Sequence, residues 1–211
     1  VEGGKWQVLP SDWAYDTSIG EGCWSADSKT FYFWGAIGVN AHLFALSVPD
    51  GRLRQITHEL GAVQGGLDRD SGLFLLRYTD PAHPADYYVV EPTRLADRTA
   101  WKKVSDANPQ VAEFALGSYE TIRWQSSDGR EVEGLLVKPV GYQEGQRYPL
   151  IVQIHGGPAS AYMNSFSGSW GDYVHVYAGA GYAVFQPNYR GSSNYGEEFR
   201  RQIAGDYFRQ G

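Results

Sequence analysis

The first half of the chain alternates short apolar runs with turn-forming residues at regular intervals. Aromatic and aliphatic runs predict strands near residues 30–34, 43–48, 53–57, 73–78 and 87–90. The turn at Asp27 recurs 43 residues later at Asp70, and the run from Leu43 recurs 44 residues later at Tyr87. A period of about 40–45 residues with four short strands is typical of a β-propeller blade, so this half predicts two blades. A plain β-sandwich with similar turn spacing is the alternative.

From about residue 118 the pattern changes. Two β-prone runs at 119–124 and 132–137 flank Ser-Ser-Asp-Gly, a hairpin signal, and the nearly wholly apolar run 149–154 predicts a strand buried on both faces. One helical face is predicted from Trp170, Tyr173, Val174 and Tyr177, ended by Gly179 and Gly181. A second buried strand at 182–185 and a helix from Glu197 follow. This order is the opening of an α/β sheet, and it divides the chain into an all-β part, 1–115, and an α/β part, 116–211.

Composition and charge exclude several classes of function. With 42% hydrophobic and 20% charged residues, the chain can build an ordinary globular core. Its net charge of −6 and scattered Lys and Arg give no reason to bind nucleic acid or an anionic membrane, and no apolar run approaches the ~20 residues of a membrane span. Cys23 is the single cysteine, so no intrachain disulfide is possible. The histidines show no metal-ligand spacing, and we expect no metal or other cofactor.

The segment His155-Gly156-Gly157-Pro158 directly follows a predicted buried strand and precedes a helix. A glycine loop in this position can turn a backbone N–H toward a substrate carbonyl, because the missing Cβ allows close approach. Such a fixed donor stabilises a developing oxyanion and is typically worth ~10²–10³ in rate. Two other interpretations stay open: a tight connection only, or a phosphate site, although no Gly-Lys-Ser/Thr or Gly-x-Gly-x-x-Gly accompanies the loop. We expect His155 to line the site or to be structural.

The motifs around this loop resemble the prolyl oligopeptidase family of serine peptidases, closest to its acylaminoacyl-peptidase and bacterial dipeptidyl-peptidase branches. The resemblance rests on the loop itself, on Gly-Tyr-Ala-Val at 181–184, on Pro-Asn-Tyr-Arg-Gly-Ser at 187–192 and on Tyr-Gly-Glu at 195–197. It implies the last blades of a β-propeller over 1–115, followed by the first strands and helices of an α/β-hydrolase domain over 116–211. It also implies that the Gly157 amide is the oxyanion donor, with Gly156 beside it. His155 stands where other branches place a tyrosine.

Two more positions near the end of the second strand are candidates for binding substrate. Tyr189 and Arg190 lie at the carboxyl end of that strand, where open α/β sheets build their sites. Arg190 is a candidate for binding a substrate carbonyl or carboxylate, although an arginine in such a loop more often ties the loop through ion pairs. Asp206 occupies a Gly-Asp-Trp-like position of the family, and we expect it to be structural.

The family's Ser-Asp-His triad is the element that this sequence lacks. No serine stands in Gly-x-Ser-x-Gly; Ser169 comes nearest, but Ser167 precedes it where glycine is required. We expect the nucleophile downstream of Gly211, further blades outside these residues, and this chain alone to be inactive. The resemblance implies short peptides as substrates of the complete protein, with the rest of the peptidase as partner. The location is expected to be cytoplasmic, with a periplasmic or secreted one open, and a homo-oligomer is possible. A noncatalytic propeller scaffold and a carboxylesterase-like hydrolase are the competing functions.

Overall fold

The computed structural model describes residues 21–157, 159–169 and 171–205. It contains twelve strands, two short α-helices and three 3₁₀ turns within that part of the chain. The strands form two groups that correspond to the two patterns in the sequence.

The first group contains two consecutive four-stranded antiparallel units. The first β-unit consists of β1 Gly22–Trp24, β2 Thr30–Ile37, β3 Asn40–Ser47 and β4 Leu53–Gln55. The second β-unit consists of β5 Ala62–Leu67, β6 Phe74–Asp80, β7 His83–Val90 and β8 Lys102–Lys103. Within each unit successive strands pair with one another, and the units meet at a single parallel bridge between Ala41 and Ala62. The predicted repeat is therefore confirmed, since each strand of the first unit has a counterpart in the second.

The core of this part is shared by the two units. It joins aliphatic side chains of β3 and β5 to Phe74 and Leu76 of β6 and to Trp101, which follows the 3₁₀ turn Arg98–Ala100. The Trp101 indole N–H donates to the Leu95 carbonyl at 3.0 Å, so its one polar group is satisfied inside the core. A second cluster of Phe33, Phe44 and Leu46 is packed by stacked rings 5.4 Å apart.

The second group is a mixed sheet with the spatial order β11-β12-β10-β9. Strands β9 Ser118–Gln125 and β10 Glu131–Lys138 form the predicted hairpin, β12 Ala183–Asn188 runs antiparallel to β10, and β11 Leu150–Val152 runs parallel to β12. Helix α1, Val174–Gly179, connects the two parallel strands, and α2, Glu197–Arg201, follows β12.

Helix α1 packs on the sheet through Val174 and Ala178, which contact Val137 and Val184. The chain leaves this helix through Gly181 at φ 88°, a left-handed conformation that favours glycine, as the sequence predicts. The helix starts later than expected: Tyr173 is its N-cap, half exposed, and Trp170 lies outside the described residues.

The predicted burial of the 149–154 strand is wrong. The strand is only Leu150–Val152, it lies at the edge of the sheet, and Leu150 and Val152 are 55% and 52% exposed. Ile154, just beyond it, is 68% exposed. The reason is positional: among the described residues β12 is the one strand paired with β11, and no layer covers this face.

The mixed sheet contacts both β-units directly. The turn between β2 and β3 bonds to the loop after β12, with the Gly38 N–H donating to the Asn194 carbonyl at 2.9 Å and the Asn194 amide donating back at 3.2 Å. The Asn164 N–H donates to the Val39 carbonyl at 2.6 Å, and the Phe166 N–H donates to Thr79 Oγ1 of β6 at 3.1 Å. These bonds bring the carboxyl edge of the mixed sheet against the β-units.

Candidate active site

The predicted glycine loop follows β11 and lies beside the loop that follows β12. Because β11 and β12 are parallel, their carboxyl ends meet at one edge of the sheet. The structure thus brings together His155, Gly156 and Gly157 with Tyr189 of the second loop. Arg190 lies in the same loop but points to the β9–β10 turn.

The two glycines are exposed and open to approach. Gly157 has φ 58°, a left-handed conformation, and no atom lies within 4 Å of where a Cβ would stand on either glycine. Within the described residues, neither glycine amide donates to a protein acceptor. Pro158 lies outside the described residues. A left-handed glycine has no Cβ to block a ligand, and its N–H meets no acceptor among the described residues, so this geometry suits a donor to an anion.

His155 is buried, in contrast to the glycines that follow it. Its Nε2 lies 2.9 Å from Ser192 Oγ, its ring stacks on Tyr189 with centroids 4.5 Å apart, and the Tyr162 ring meets it edge-on at 5.3 Å. Burial lowers the pKa of the His155 imidazole below its ordinary value, partly opposed by the Gly156 carbonyl. The ring is therefore neutral at neutral pH, which suits a packed residue better than a free general base.

The two substrate-binding candidates make internal contacts. The Tyr189 hydroxyl donates to the His155 carbonyl at 2.6 Å, and burial raises the pKa of that hydroxyl. Arg190 Nη2 donates to Ser126 Oγ at 2.8 Å and forms an ion pair with Asp128. These contacts favour the loop-tying interpretation of Arg190, whose side chain is 12% exposed. Binding of substrate by either residue stays a prediction.

Several polar residues at this edge are not predicted from the sequence. The Asn188 side chain is fully buried: it accepts from the Tyr162 N–H at 2.7 Å and donates to the Tyr162 carbonyl at 3.0 Å and to the Tyr195 hydroxyl at 2.7 Å. Tyr195 in turn donates to buried Glu133 at 3.0 Å, and Glu133 pairs with Arg123 at 2.8 Å. The signals in the sequence that point here are Asn188, a polar residue that closes an apolar strand, and Tyr195 in the Tyr-Gly-Glu motif.

Three members of this network, Tyr195, Glu133 and Arg123, line a cleft of about 440 Å³ between the β2–β3 turn and the mixed sheet. Burial and the adjacent Glu133 raise the pKa of Tyr195, so its hydroxyl stays protonated as a donor. The residues that line the cleft include neither His155 nor the two glycines.

The described part of the chain holds no group of three or more metal-ligating side chains. None of the helices described is long and apolar enough to cross a bilayer. Asp206 lies outside the described residues.

Comparison with known proteins shows which family this chain resembles. The prolyl oligopeptidase family model matches residues 167–210. The uncharacterized peptidase YuxL of Bacillus subtilis is 31% identical over 186 residues, which are 87% of this chain and 27% of that protein. Dipeptidyl-peptidase 5 of Porphyromonas gingivalis is 26% identical over 185 residues, which are 87% of this chain and 26% of that protein. The chain thus spans about a quarter of the length of these curated relatives.

Solved structures show the same architecture. An acylaminoacyl peptidase of Pyrococcus horikoshii superposes with a TM-score of 0.70 at 22% identity, over 89% of this chain and 28% of that one. Dipeptidyl peptidase 4 of Porphyromonas gingivalis gives 0.71 at 19% identity, over 90% of this chain and 26% of that one. The strand-rich fold matches the propeller portion of these structures, which favours blades over a plain sandwich. The resemblance to the prolyl oligopeptidase family that the motifs predict is confirmed by the family match and by these relatives.

Proposed function

We propose that the complete protein is a serine peptidase that cleaves short peptides through an acyl-enzyme, and that this chain supplies its oxyanion loop. The relatives and structural neighbours described above are all named as peptidases, which supports peptide hydrolysis as the class of reaction. The observation that carries the proposal for this chain is Gly157: an exposed, left-handed glycine at the carboxyl edge of a sheet, whose amide donates to no acceptor among the described residues.

The chemistry assigned to the loop is electrostatic. When a serine attacks a peptide carbonyl, the oxygen gains negative charge, and a preoriented N–H stabilises that charge more than it stabilises the neutral carbonyl. Gly157 would be one donor, and the serine, with its Asp and His, is proposed to come from residues outside these 211. The mixed sheet is proposed as the start of an α/β-hydrolase domain. The uncovered edge strand β11 supports this, because such an edge is normally paired or covered.

A fluorophosphonate probe tests the proposal directly, because it modifies only an activated serine. The complete protein is expected to be labelled and to hydrolyse acylaminoacyl-, dipeptidyl- or aminoacyl-nitroanilides. Heat-denatured protein is the control for nonspecific labelling. The 211-residue chain on its own is expected to stay unlabelled.

The outcomes separate the competing functions. A folded complete protein that neither reacts with the probe nor cleaves any of the peptides would be a noncatalytic scaffold, and the peptidase proposal would be wrong. Labelling with hydrolysis of simple esters but of no peptide would indicate a carboxylesterase-like hydrolase. Labelling of the isolated chain would overturn the assignment of the nucleophile to residues outside it.

A further inference from the structure

The loop after β12 holds the residue that precedes the two open glycines at two separate points. Ser192 contacts the His155 ring, and Tyr189 contacts both the ring face and the main-chain carbonyl. Neither contact reaches the exposed surface of the glycine loop. We call Tyr189 and Ser192, with the His155 groups that they hold, the His155 clamp.

The ring half of the clamp leaves the imidazole little freedom. Ser192 is fully buried and its Oγ lies 2.9 Å from Nε2, while the Tyr189 ring is stacked at an interplanar angle of 15°. A side chain whose one face is stacked and whose ring nitrogen is bonded keeps one rotamer. The His155 side chain is therefore held in place shortly after β11 ends at Val152.

The carbonyl half fixes the direction of a peptide plane. The His155 carbonyl and the Gly156 N–H belong to one rigid peptide unit, so the 2.6 Å bond from the Tyr189 hydroxyl sets the direction of that unit. Gly156 and Gly157 have no side chains with which to anchor themselves, and no atom lies near their Cβ positions. The Gly157 N–H shares the next peptide unit with the Gly156 carbonyl, and that carbonyl lies 3.4 Å from His155 Nδ1. The held His155 ring therefore also bears on the direction of the Gly157 amide.

We propose that Ser192 and Tyr189 are positioning residues that hold the Gly157 amide in the direction needed for an oxyanion. The catalytic importance of this orientation rests on the proposed function. The contacts of the His155 clamp do not depend on it. Neither residue is a catalytic residue here, because each acts through His155.

The test uses two variants of the complete protein and a matched control. Ser192→Ala removes the ring bond, and Tyr189→Phe keeps the stacked ring but removes the bond to the carbonyl. Ser193→Ala is the control, since it deletes the same hydroxyl one residue later, where no side-chain hydrogen bond is seen among the described residues. Amide ¹⁵N relaxation of the glycine-labelled proteins measures the order of the glycine loop. Steady-state kinetics measures whether that order affects catalysis.

We expect the order parameters of Gly156 and Gly157 to fall from about 0.85 to below about 0.6 in both variants but not in the control. In the same variants kcat should fall by about 10- to 100-fold with KM nearly unchanged. Affinity for a peptide boronate, which mimics the tetrahedral adduct, should fall in parallel with kcat. A purely structural role would lower the melting temperature without changing the ratio of boronate to product affinity.

The two proposals fail in different ways. If the glycines stay ordered in both variants, the clamp is wrong whatever the activity. If Tyr189→Phe raises KM and leaves kcat and loop order unchanged, Tyr189 binds substrate and does not position the loop. If the glycines lose order but the unmodified protein never reacts with a serine probe, the clamp stands as a loop anchor and the peptidase proposal fails.

Discussion

Gly157 is the residue on which the candidate chemistry depends, and its conformation can be tested separately from its surroundings. At φ 58° an alanine is strained by about 1 kcal/mol, although space around a Cβ is open. The strain would be relieved by rotating the peptide toward negative φ, which turns the 157 amide away from its present direction.

We therefore expect Gly157→Ala to lower kcat of the complete protein by at least about 10-fold. Gly141→Ala is the matched control, because Gly141 has φ 73°, equally open space and a turn position that makes no contact with the loop. Both variants should lose about 1 kcal/mol of unfolding free energy, measured by urea denaturation. Equal kcat in the two variants would show that the 157 amide does not serve the reaction.

At the scale of elements, the turn between β2 and β3 shows how the β-units and the mixed sheet are matched. Gly38 has φ 56°, and a Cβ there would lie 2.6 Å from Glu133 Oε1. Glu133 cannot easily move aside, because it is buried and bonded to both Arg123 and Tyr195. The turn therefore needs glycine for its shape and also for its close approach to the sheet.

Gly38→Ala is expected to destabilise the protein by about 2–4 kcal/mol, the sum of backbone strain and overpacking. Gly72→Ala, in the turn between β5 and β6 at φ 70°, has open space and should cost only about 1 kcal/mol. Urea denaturation of both variants measures the difference. If the two losses are equal, the contact of the turn with Glu133 contributes nothing to stability.

The elements that follow local rules are those that the sequence predicts well. The 43–44-residue repeat, the hairpin around Ser126–Gly129 and the end of α1 at Gly181 all depend on residues close in sequence, and all are present. The burial of β11 is not predictable in this way, because an apolar run does not record whether a neighbouring strand or layer exists. The same limit applies to Ser192 and Asn188, whose importance arises from partners 37 and 26 residues away.

In the candidate site, too, local features could be predicted from the sequence and long-range contacts could not. The glycine loop and its position after a strand could be predicted from the motif, since the required φ is a property of glycine itself. The contacts of Arg190 with Ser126 and Asp128 could not be predicted from the sequence, because these partners lie 64 and 62 residues away along the chain.

For the whole molecule, the uncovered strand β11 predicts self-association of the isolated chain. Leu150, Val152 and Ile154 occupy alternate positions and are all exposed, next to a sheet edge on which no described strand pairs with β11. We expect the 211-residue chain to form dimers or larger species in sedimentation velocity, and Val152→Lys to shift it toward monomer.

Phe114→Lys is the control for this prediction. Phe114 is similarly exposed, at 58%, but lies after a 3₁₀ turn and not on a strand edge. If both lysine variants become monomeric to the same extent, association reflects general hydrophobicity and not the edge of β11. If the unmodified chain is monomeric at every concentration, the prediction that the exposed edge of β11 drives association is wrong.

The bonds between the β2–β3 turn and the mixed sheet join residues that the ribosome adds to the chain at widely separated times. The Asn194 amide that donates to Gly38 is made 156 residues after it, and Asn164 follows Asn40 by 124. At about 5–20 residues per second, the first β-unit waits roughly 8–30 s before its docking partner exists. A pause or a slowly translated stretch between residues 40 and 194 would lengthen that wait, so chaperone dependence should increase with translation delay in this interval.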